Sequence, residues 1–205
     1  MFSGRPLIYY TIALCKALPE IDRCIVSTED KEIASIAQEF GSEVINRPPE
    51  LADDFATTAS AARHALEQVV ADGDNPGVLL TLQPNCPLRP VSLVRKALEV
   101  FMQGGVDSVV SVTKSGQKLG TIKRKYFSPD YLPGVRSQDM EPRYFENGLV
   151  YVSSAGLVLG HGDLFGKKIF PLVTEPLYAM GDIDTELDFQ IAEFLFEKYR
   201  DHFAY

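Results

Sequence analysis

Two acidic residues near the carboxyl end of the chain are the strongest candidates for chemistry. Asp182 and Asp184 lie in the run GDIDTELDF, residues 181–189. In an extended segment, side chains two residues apart point to the same side, so these carboxylates can converge on one point. Two hard oxygen ligands, completed by phosphate oxygens and water, suit Mg²⁺. Asp182 and Asp184 are therefore candidate ligands of a metal ion.

The same run also predicts the start of a helix. Thr185, with Asp188 three residues later, resembles a capping box, and acidic residues are favoured at a helix N-terminus. Helix capping is therefore the alternative role for the acidic residues. The two roles are compatible, because Asp182 and Asp184 precede the helix.

A proline-rich loop carries the second candidate group. The run QPNCPLR, residues 83–89, follows an apolar stretch typical of a central strand. Open α/β sheets bind ligands at the carboxyl ends of their strands. The Gln83 amide can donate and accept hydrogen bonds, and Arg89 can bind a phosphate or a carboxylate through two of them. Taken alone, these residues favour a stiff loop with a surface arginine, and Arg47 offers the same choice between an anion site and a solvated charge.

Composition narrows the class of protein. The chain has 205 residues, 45% hydrophobic and 23% charged, which predicts one globular domain. A net charge of −8 without a basic run lacks the footprint of a nucleic-acid binder and gives no attraction to an anionic membrane. The longest apolar runs fall short of the roughly 20 residues that span a bilayer. We therefore expect neither a nucleic-acid nor a membrane partner.

The cysteines indicate a reducing compartment. Cys15, Cys24 and Cys86 are odd in number and show no CxxC spacing, which disfavours both a disulfide framework and a zinc site. Cys86 has no histidine nearby in the sequence, which favours a packed residue over a nucleophile. The apolar run that starts at Leu7 is interrupted by Lys16 and lacks a convincing cleavage site, which disfavours a secretion signal. We expect a cytoplasmic protein.

Helical and strand periods alternate along the chain, which is typical of an α/β domain. Ser92 is the predicted cap of one helix. Helices are predicted near residues 7–18, 30–40, 58–71, 93–102 and 185–200, and strands near 24–26, 44–45, 78–82, 108–112 and 149–152. The polar segment between Lys114 and Arg143 has little helical period and predicts an inserted hairpin arm. No phosphate-binding GxGxxG or GxxxxGK[ST] motif occurs in the chain.

Several runs together resemble one enzyme family. They are VSTED at 26–30, RPPELADD at 47–54, QPNCPLR at 83–89, ENGLVY at 146–151 and DIDTELD at 182–188. In this order and spacing they are similar to the CMP-N-acylneuraminate cytidylyltransferases (CMP-sialic acid synthetases). The resemblance implies a single three-layer, Rossmann-like nucleotidyltransferase domain over residues 1–205, with a mostly parallel sheet. It also implies an enzyme that uses CTP and Mg²⁺: the anomeric hydroxyl of a nine-carbon keto-acid sugar attacks the α-phosphate, and pyrophosphate leaves.

The resemblance also assigns roles to individual positions. They are Arg47 and Thr58 at the nucleotide, Gln83 at the reacting end of the sugar, Asn147 and Tyr151 in the sugar pocket, Leu164 and Phe165 at the sugar's tail, and Asp182 and Asp184 as metal ligands. Gln83, Asp182 and Asp184 are then the predicted catalytic residues, and Arg89 is a further candidate for substrate binding. The segment 114–143 resembles the family's dimerisation arm, which implies a homodimer.

Three departures from the family pattern leave alternatives open. The chain opens at Met1 just after the position of the family's first strand and glycine-rich basic loop, which holds the triphosphate. Phe145 and Ser137 stand where the family often has arginines, one of them binding the sugar carboxylate, and Arg136 and Arg143 are the candidate replacements. Asn85 and Cys86 replace a usual Thr-Ser pair.

The missing loop has the largest expected consequence, because contacts to a transferring phosphoryl group supply most of the catalysis in such reactions. We expect either a longer natural protein or a catalytically defective nucleotide- or sugar-binding relative. An absent central strand would also leave sheet edges unpaired and prone to aggregation, which favours the longer natural protein. Within the enzymes, the alternative substrate is an eight-carbon keto sugar or another nonulosonic acid.

Overall fold

The computed structural model describes residues 1–53 and 55–203, so Asp54 of the RPPELADD run lies outside the described residues. The helices are α1 (Leu7–Lys16), α2 (Lys31–Glu39), α3 (Thr58–Ala71), α4 (Val91–Met102), α5 (Ala155–His161), α6 (Pro176–Ala179) and α7 (Glu186–Lys198). The strands are β1 (Ile25–Thr28), β2 (Glu43–Asn46), β3 (Val78–Thr81), β4 (Ser108–Ser115), β5 (Gly120–Lys123), β6 (Tyr126–Pro129), β7 (Arg143–Ser154) and β8 (Ile169–Thr174).

Some helices begin at a side-chain cap and others do not. The predicted capping box at α7 is confirmed: the Thr185 hydroxyl accepts a hydrogen bond from the Asp188 backbone N–H at 3.2 Å, and the Asp188 carboxylate accepts one from the Thr185 N–H at 2.8 Å. The predicted cap of α4 at Ser92 is wrong. That helix begins at Val91 directly after Pro90, so Ser92 lies inside the first turn, where the helix needs no side-chain cap to start.

Four strands form the central sheet, in the order β3-β7-β4-β8. Strand β7 runs antiparallel to both β3 and β4, and β8 runs parallel to β4, so three of the four strands point in one direction. Strands β1 and β2 form a separate parallel pair. The predicted α/β fold with a mostly parallel sheet is confirmed.

Helices cover both faces of the central sheet. On one face, Leu66 of α3 and Val158 of α5 pack with Val110 and Tyr151. On the other face, residues of α1 and α4 pack with Val109, Val150 and Val152, among them Leu14, Val94 and Ala97. Adjacent residues of β4 and β7 therefore point into opposite cores, as expected of buried strands. The result is a three-layer α/β/α architecture.

Strand β7 contains a wide bulge. Val110 pairs with Tyr151, whereas Val112 pairs with Glu146, so residues 147–150 lie opposite Ser111 alone. The Ser111 hydroxyl fills this gap by accepting a hydrogen bond from the Val150 backbone N–H at 2.8 Å. The bulge turns part of β7 away from the regular ladder, which is how bulges redirect side chains near functional sites.

The segment between β4 and β7 projects as a hairpin. The β4–β7 ladder ends where Ser115 pairs with Arg143, and β5 and β6 then pair with each other in antiparallel register. Several large apolar side chains of this segment are exposed, among them Leu119, Ile122, Phe127 and Leu132. None of the helices in the described ranges, 1–53 and 55–203, is long and apolar enough to cross a membrane.

Candidate active site

The bulge of β7 supports the Gln83 side chain. Gly148 has a φ of +70°, and a Cβ atom at this position would lie only 2.4 Å from Oε1 of Gln83 and 3.1 Å from Sγ of Cys86. Glycine both tolerates the left-handed conformation and lets the Gln83 amide lie directly against the backbone. Gln83, which follows β3, is therefore positioned by a feature of a different strand.

The loop after β3 also holds the acidic run. Nδ2 of Asn85 donates a hydrogen bond to Oδ1 of Asp182 at 3.0 Å, and the backbone carbonyl of Asn85 accepts one from the Ile183 N–H at 3.0 Å. The Cys86 thiol lies 3.6 Å from the same Asp182 oxygen. These contacts bring the predicted catalytic Gln83 and Asp182 to one place in the fold.

Asp182 and Asp184 remain open to solvent beside this loop. Partial desolvation raises the pKa of Asp182, and the negative charge of Asp184 raises it further, while hydrogen bonds from Cys86 and Asn85 oppose the shift. A bound cation would relieve the repulsion between the two carboxylates. The pair therefore presents two hard oxygen ligands that are accessible and electrostatically suited to a cation.

The carboxylates of Asp182 and Asp184 suit Mg²⁺ better than a metal ion whose ligands all come from the protein. Asp188 is occupied by the cap at Thr185. Across residues 1–53 and 55–203, no group of three or more His, Cys, Asp or Glu side chains is arranged to hold a metal ion. Mg²⁺ is commonly bound through one or two carboxylates plus substrate phosphates and water, which matches a two-carboxylate site.

Cys86 and Tyr151 stay protonated at neutral pH. Burial raises the pKa of the Cys86 thiol to about 12, and the acidic run nearby adds to the shift. Burial likewise raises the pKa of Tyr151 to about 12, with a contribution from Glu146, which accepts a hydrogen bond from it. A protonated thiol of this kind is a poor nucleophile, so Cys86 belongs to the framework. Tyr151 offers a neutral hydroxyl beside the acidic run.

The Phe165 ring lies next to the Tyr151 ring, and together they form an apolar wall. The two ring centroids lie 5.9 Å apart in a tilted arrangement. Leu164 is buried in the core, so of this predicted pair Phe165 is the one that is partly exposed. Ala59 of α3 packs against the apolar cluster that contains Tyr151 and Phe165. The start of α3, and hence Thr58, is therefore brought towards this wall.

Asn147 and Arg89 lie inside the framework. The Asn147 side chain is 2% exposed, and its Nδ2 donates hydrogen bonds to the hydroxyls of Thr113 and Thr174 at 2.9 and 2.8 Å. Arg89 is 1% exposed and donates to the backbone carbonyls of Leu149 and Gln83. Their contacts hold the bulge and the Gln83 loop, whereas direct contact with a substrate stays a prediction.

Arg47 is half-buried and Thr58 is exposed, and each lies at the end of another element. Arg47 follows β2, and its guanidinium donates to the Glu29 carboxylate, with Nη2 at 2.7 Å from Oε2. This ion pair lowers the pKa of Glu29. Thr58 is the first residue of α3, and the neighbouring Thr57 caps that helix by accepting a hydrogen bond from the Ser60 N–H.

The residues that sequence reasoning passed over are Asn85 and Glu146. Asn85 entered the prediction only as a departure from the family pattern, and Glu146 only as part of the ENGLVY run. The candidate replacements for the missing arginines are both ion-paired on the arm. Arg136 pairs with Asp139 at 2.7 Å, and Arg143 pairs with Asp130.

With this geometry established, similarity to known proteins identifies the family. A family model described as cytidylyltransferase matches residues 1–199. The chain belongs to the cytidylyltransferase family. The predicted relationship to CMP-sugar synthetases is thereby confirmed, and curated relatives agree with it.

One relative is the N-acylneuraminate cytidylyltransferase of Streptococcus agalactiae serotype III, 28% identical over 91% of this chain and 46% of the relative. Another is the CMP-N,N'-diacetyllegionaminic acid synthase of Legionella pneumophila, 28% identical over 96% of this chain and 88% of the relative. The chain thus spans about half the length of the streptococcal enzyme.

Solved structures share the fold of this cytidylyltransferase. A CMP:2-keto-3-deoxy-manno-octonic acid synthetase complexed with CTP matches with a TM-score of 0.68 at 14% identity, over 97% of this chain and 90% of that one. The 4-diphosphocytidyl-2C-methyl-D-erythritol synthase of Anaerococcus prevotii matches with a TM-score of 0.68 at 15% identity, over 96% and 88%. The predicted nucleotidyltransferase fold is confirmed.

Proposed function

We propose that this cytidylyltransferase transfers CMP from CTP to a nonulosonic acid, a nine-carbon keto-acid sugar of the sialic acid type, and releases pyrophosphate. The observation that carries the proposal is the joining of the Gln83 loop to the Asp182 run beside the β7 bulge. Relatives named for sialic, legionaminic and pseudaminic acids support the choice of sugar.

On the sugar side, we assign Gln83 to the reacting end of the acceptor. Its amide can donate to one sugar oxygen and accept from a hydroxyl, which orients the attacking group. The partly exposed Phe165 ring, next to Tyr151, offers an apolar surface for the carbon backbone of the sugar. Arg89 and Asn147 support these groups from within, because their side chains are committed to the framework.

On the nucleotide side, we assign Arg47 and Thr58 to CTP. A guanidinium binds phosphate oxygens through two hydrogen bonds, and Arg47 can turn from the exposed Glu29 carboxylate to do so. Exposed ion pairs of this kind contribute little to stability, so the exchange costs little. Thr58 lies at the start of α3, where backbone N–H groups favour a negatively charged ligand.

Asp182 and Asp184 would hold the Mg²⁺ of this reaction. When bound there, the ion would neutralise charge on the phosphates of CTP. The protein's own contribution is to keep the Asp182 carboxylate accessible and fixed beside the Gln83 loop. The hydrogen bonds from Asn85 and Cys86 to Asp182 serve that purpose, and they also favour its charged form.

We further propose that the protein is a homodimer joined through its arm, and that it works in the cytoplasm. Ile122 is 77% exposed and Leu132 76% exposed on the projecting hairpin segment, which favours a protein partner at this surface. The proposed location in the cytoplasm is supported by the three free thiols, which fit a reducing compartment. Sedimentation at micromolar concentration should give a dimer, and Ile122→Glu should shift it to a monomer. A monomeric parent would contradict the dimer.

Pyrophosphate release from the full-length protein tests the proposed reaction. The assay offers CTP with N-acetylneuraminic, diacetyllegionaminic, pseudaminic or 2-keto-3-deoxy-manno-octonic acid, and ATP and UTP replace CTP as controls. We expect release with CTP and at least one nine-carbon acid. Turnover with the eight-carbon acid alone would change the substrate class. CTP binding by calorimetry without turnover on any sugar would instead favour a non-catalytic binding protein.

A further inference from the structure

We infer that Asn85 is a positioning residue that fixes the Asp182 carboxylate, holding its Oδ1 within the protein and leaving Oδ2 to face a divalent cation. The inference rests on the proposed function for the purpose of that cation. It assigns a role to a position at which the sequence departs from its family, and it makes the loop after β3 part of the cation site.

Asn85 grips the acidic run at two points. Its side-chain Nδ2 donates to Oδ1 of Asp182, and its backbone carbonyl accepts from the N–H of the next residue, Ile183, both at 3.0 Å. The loop that presents Asn85 is itself fixed, because the Cys86 N–H donates to the Gln83 carbonyl at 3.3 Å and Arg89 also donates to that carbonyl. The hydrogen bond between Asn85 and Asp182, which are 97 positions apart in sequence, is therefore donated from a loop that is itself held in place.

The orientation of the Asn85 amide is set by its neighbours. The Cys86 thiol has a single hydrogen, which it can donate to Asp182, and the ionised Asp182 carboxylate can only accept hydrogen bonds. The opposite orientation would place the amide oxygen against a carboxylate oxygen. The amide N–H must therefore face Asp182.

Fixing one oxygen matters because a carboxylate otherwise turns freely. The terminal torsion of aspartate has a broad, two-fold distribution, so an exposed carboxylate samples many orientations. The Cys86 thiol also reaches Oδ1, at 3.6 Å, so within residues 1–53 and 55–203 both side-chain donors to Asp182 meet the same oxygen. A neutral amide achieves this without a positive charge that would repel a cation.

Mn²⁺ binding tests the inference without relying on turnover. The parent and Asn85→Ala are titrated with Mn²⁺ in the presence of CTP, and the free ion is followed by electron paramagnetic resonance. We expect the dissociation constant for Mn²⁺ to rise about tenfold in Asn85→Ala, the range found when groups supporting metal ligands are removed. CTP affinity measured with a chelator present should stay within about twofold, since Asn85 is not assigned to the nucleotide.

Two further variants separate positioning from packing. Asn85→Leu keeps most of the side-chain volume but removes the donor, so it should weaken Mn²⁺ binding as much as Asn85→Ala does. Asn75→Ala, in the exposed connection between α3 and β3, removes an asparagine of the same type and should leave Mn²⁺ binding unchanged. The backbone contact to Ile183 remains in every variant, so folding should be retained and is checked by thermal unfolding.

The outcomes distinguish this inference from the proposed reaction. Parental Mn²⁺ affinity in Asn85→Ala or in Asn85→Leu overturns the positioning role, as does a loss of thermal stability without a loss of affinity. A parent that binds no Mn²⁺ overturns it outright. If Mn²⁺ affinity falls as expected but the parent releases no pyrophosphate with any sugar, the positioning role stands and the proposed function fails.

Discussion

The two sides of the candidate site are held in place in different ways. Asp182 is held by Asn85, 97 positions away in sequence, and Gln83 lies against a glycine whose replacement would collide with it. Arg47 instead extends from the end of a separate two-stranded pair, and its side chain pairs with Glu29 at the surface. The sugar and cation side is therefore preorganised, whereas the nucleotide side can exchange partners.

This difference predicts how substitutions divide between rate and binding. Preorganised groups stabilise developing charge without reorganisation, so changes on the Gln83–Asp182 side should lower kcat. A surface charge that binds substrate and transition state equally contributes to KM alone.

Asp184→Asn should have the largest effect on turnover. The substitution removes one of two charges while keeping the side-chain shape, and metal-assisted charge stabilisation is worth several kcal/mol. We expect kcat to fall at least about a hundredfold, at roughly 1.4 kcal/mol per tenfold. Thermal stability should hardly change, because repulsion between Asp184 and Asp182 is relieved at the same time. Steady-state kinetics with Mg²⁺ and thermal unfolding measure both quantities.

A helix-capping role for the acidic residues predicts the reverse for Asp184→Asn. Loss of a helix-capping contact would lower stability by about 1 kcal/mol with activity retained. A variant that melts lower but turns over at the parental rate would therefore remove Asp184 from the cation site.

Gly148→Ala should lower kcat next most. A non-glycine residue in the left-handed conformation costs about 1–3 kcal/mol, and the new Cβ would have to displace the Gln83 amide, 2.4 Å away. We expect kcat to fall more than tenfold at about 1.4 kcal/mol per tenfold, together with a lower unfolding temperature. Gly160→Ala is the matched control, because a Cβ atom at this position of α5 would have no neighbouring atom within 4 Å. Parental kcat in Gly148→Ala would mean that Gln83 is not held by the bulge.

The β7 bulge also marks where prediction from sequence stopped. The bounds of α3, 58–71, were predictable because its periodic apolar face and its end are local properties. The capping box at Thr185 was predictable for the same reason. The bulge depends on Ser111 and on the buried Asn147 network, which involve other strands. No local pattern records such contacts.

The site itself was predictable by type and by resemblance, but not by arrangement. The spacing of Asp182 and Asp184 indicated a shared ligand, and family resemblance pointed to Gln83. The contact of Asn85 with Asp182 joins residues far apart in sequence, so only the folded chain reveals it. The burial of Arg89 was missed because an arginine in a loop is usually exposed, and here three parts of the fold accept its hydrogen bonds.

Arg47→Ala should act on binding and not on rate. Loss of a charge-assisted contact to CTP costs about 1.5–3 kcal/mol, so we expect KM for CTP to rise at least about tenfold with kcat nearly unchanged. Glu29→Gln provides the control, since it releases Arg47 from its ion pair and should keep or lower KM. If Arg47→Ala lowers kcat and leaves KM unchanged, the two sides of the site do not differ as described.

Asp188→Asn should have the smallest effect, and it tests where the framework ends and the cation site begins. The Asp188 carboxylate accepts hydrogen bonds from the hydroxyl and the N–H of Thr185 at 2.7 and 2.8 Å, and these contacts lower its pKa. A carboxyl group whose pKa is lowered by folding stabilises the protein above its ordinary pKa, and this contribution is lost as the pH falls through the folded value. Asp188→Asn should therefore melt below the parent at about pH 7, and the difference should shrink towards about pH 3, below the ordinary aspartate pKa of about 3.9.

Because Asp188 is committed to the cap, kcat and Mn²⁺ affinity of Asp188→Asn should remain parental. Circular dichroism melts across this pH range, with kinetics at neutral pH, measure each quantity. A variant that loses Mn²⁺ affinity while melting like the parent would place Asp188 with Asp182 and Asp184 as a ligand, and would extend the cation site into the first turn of α7.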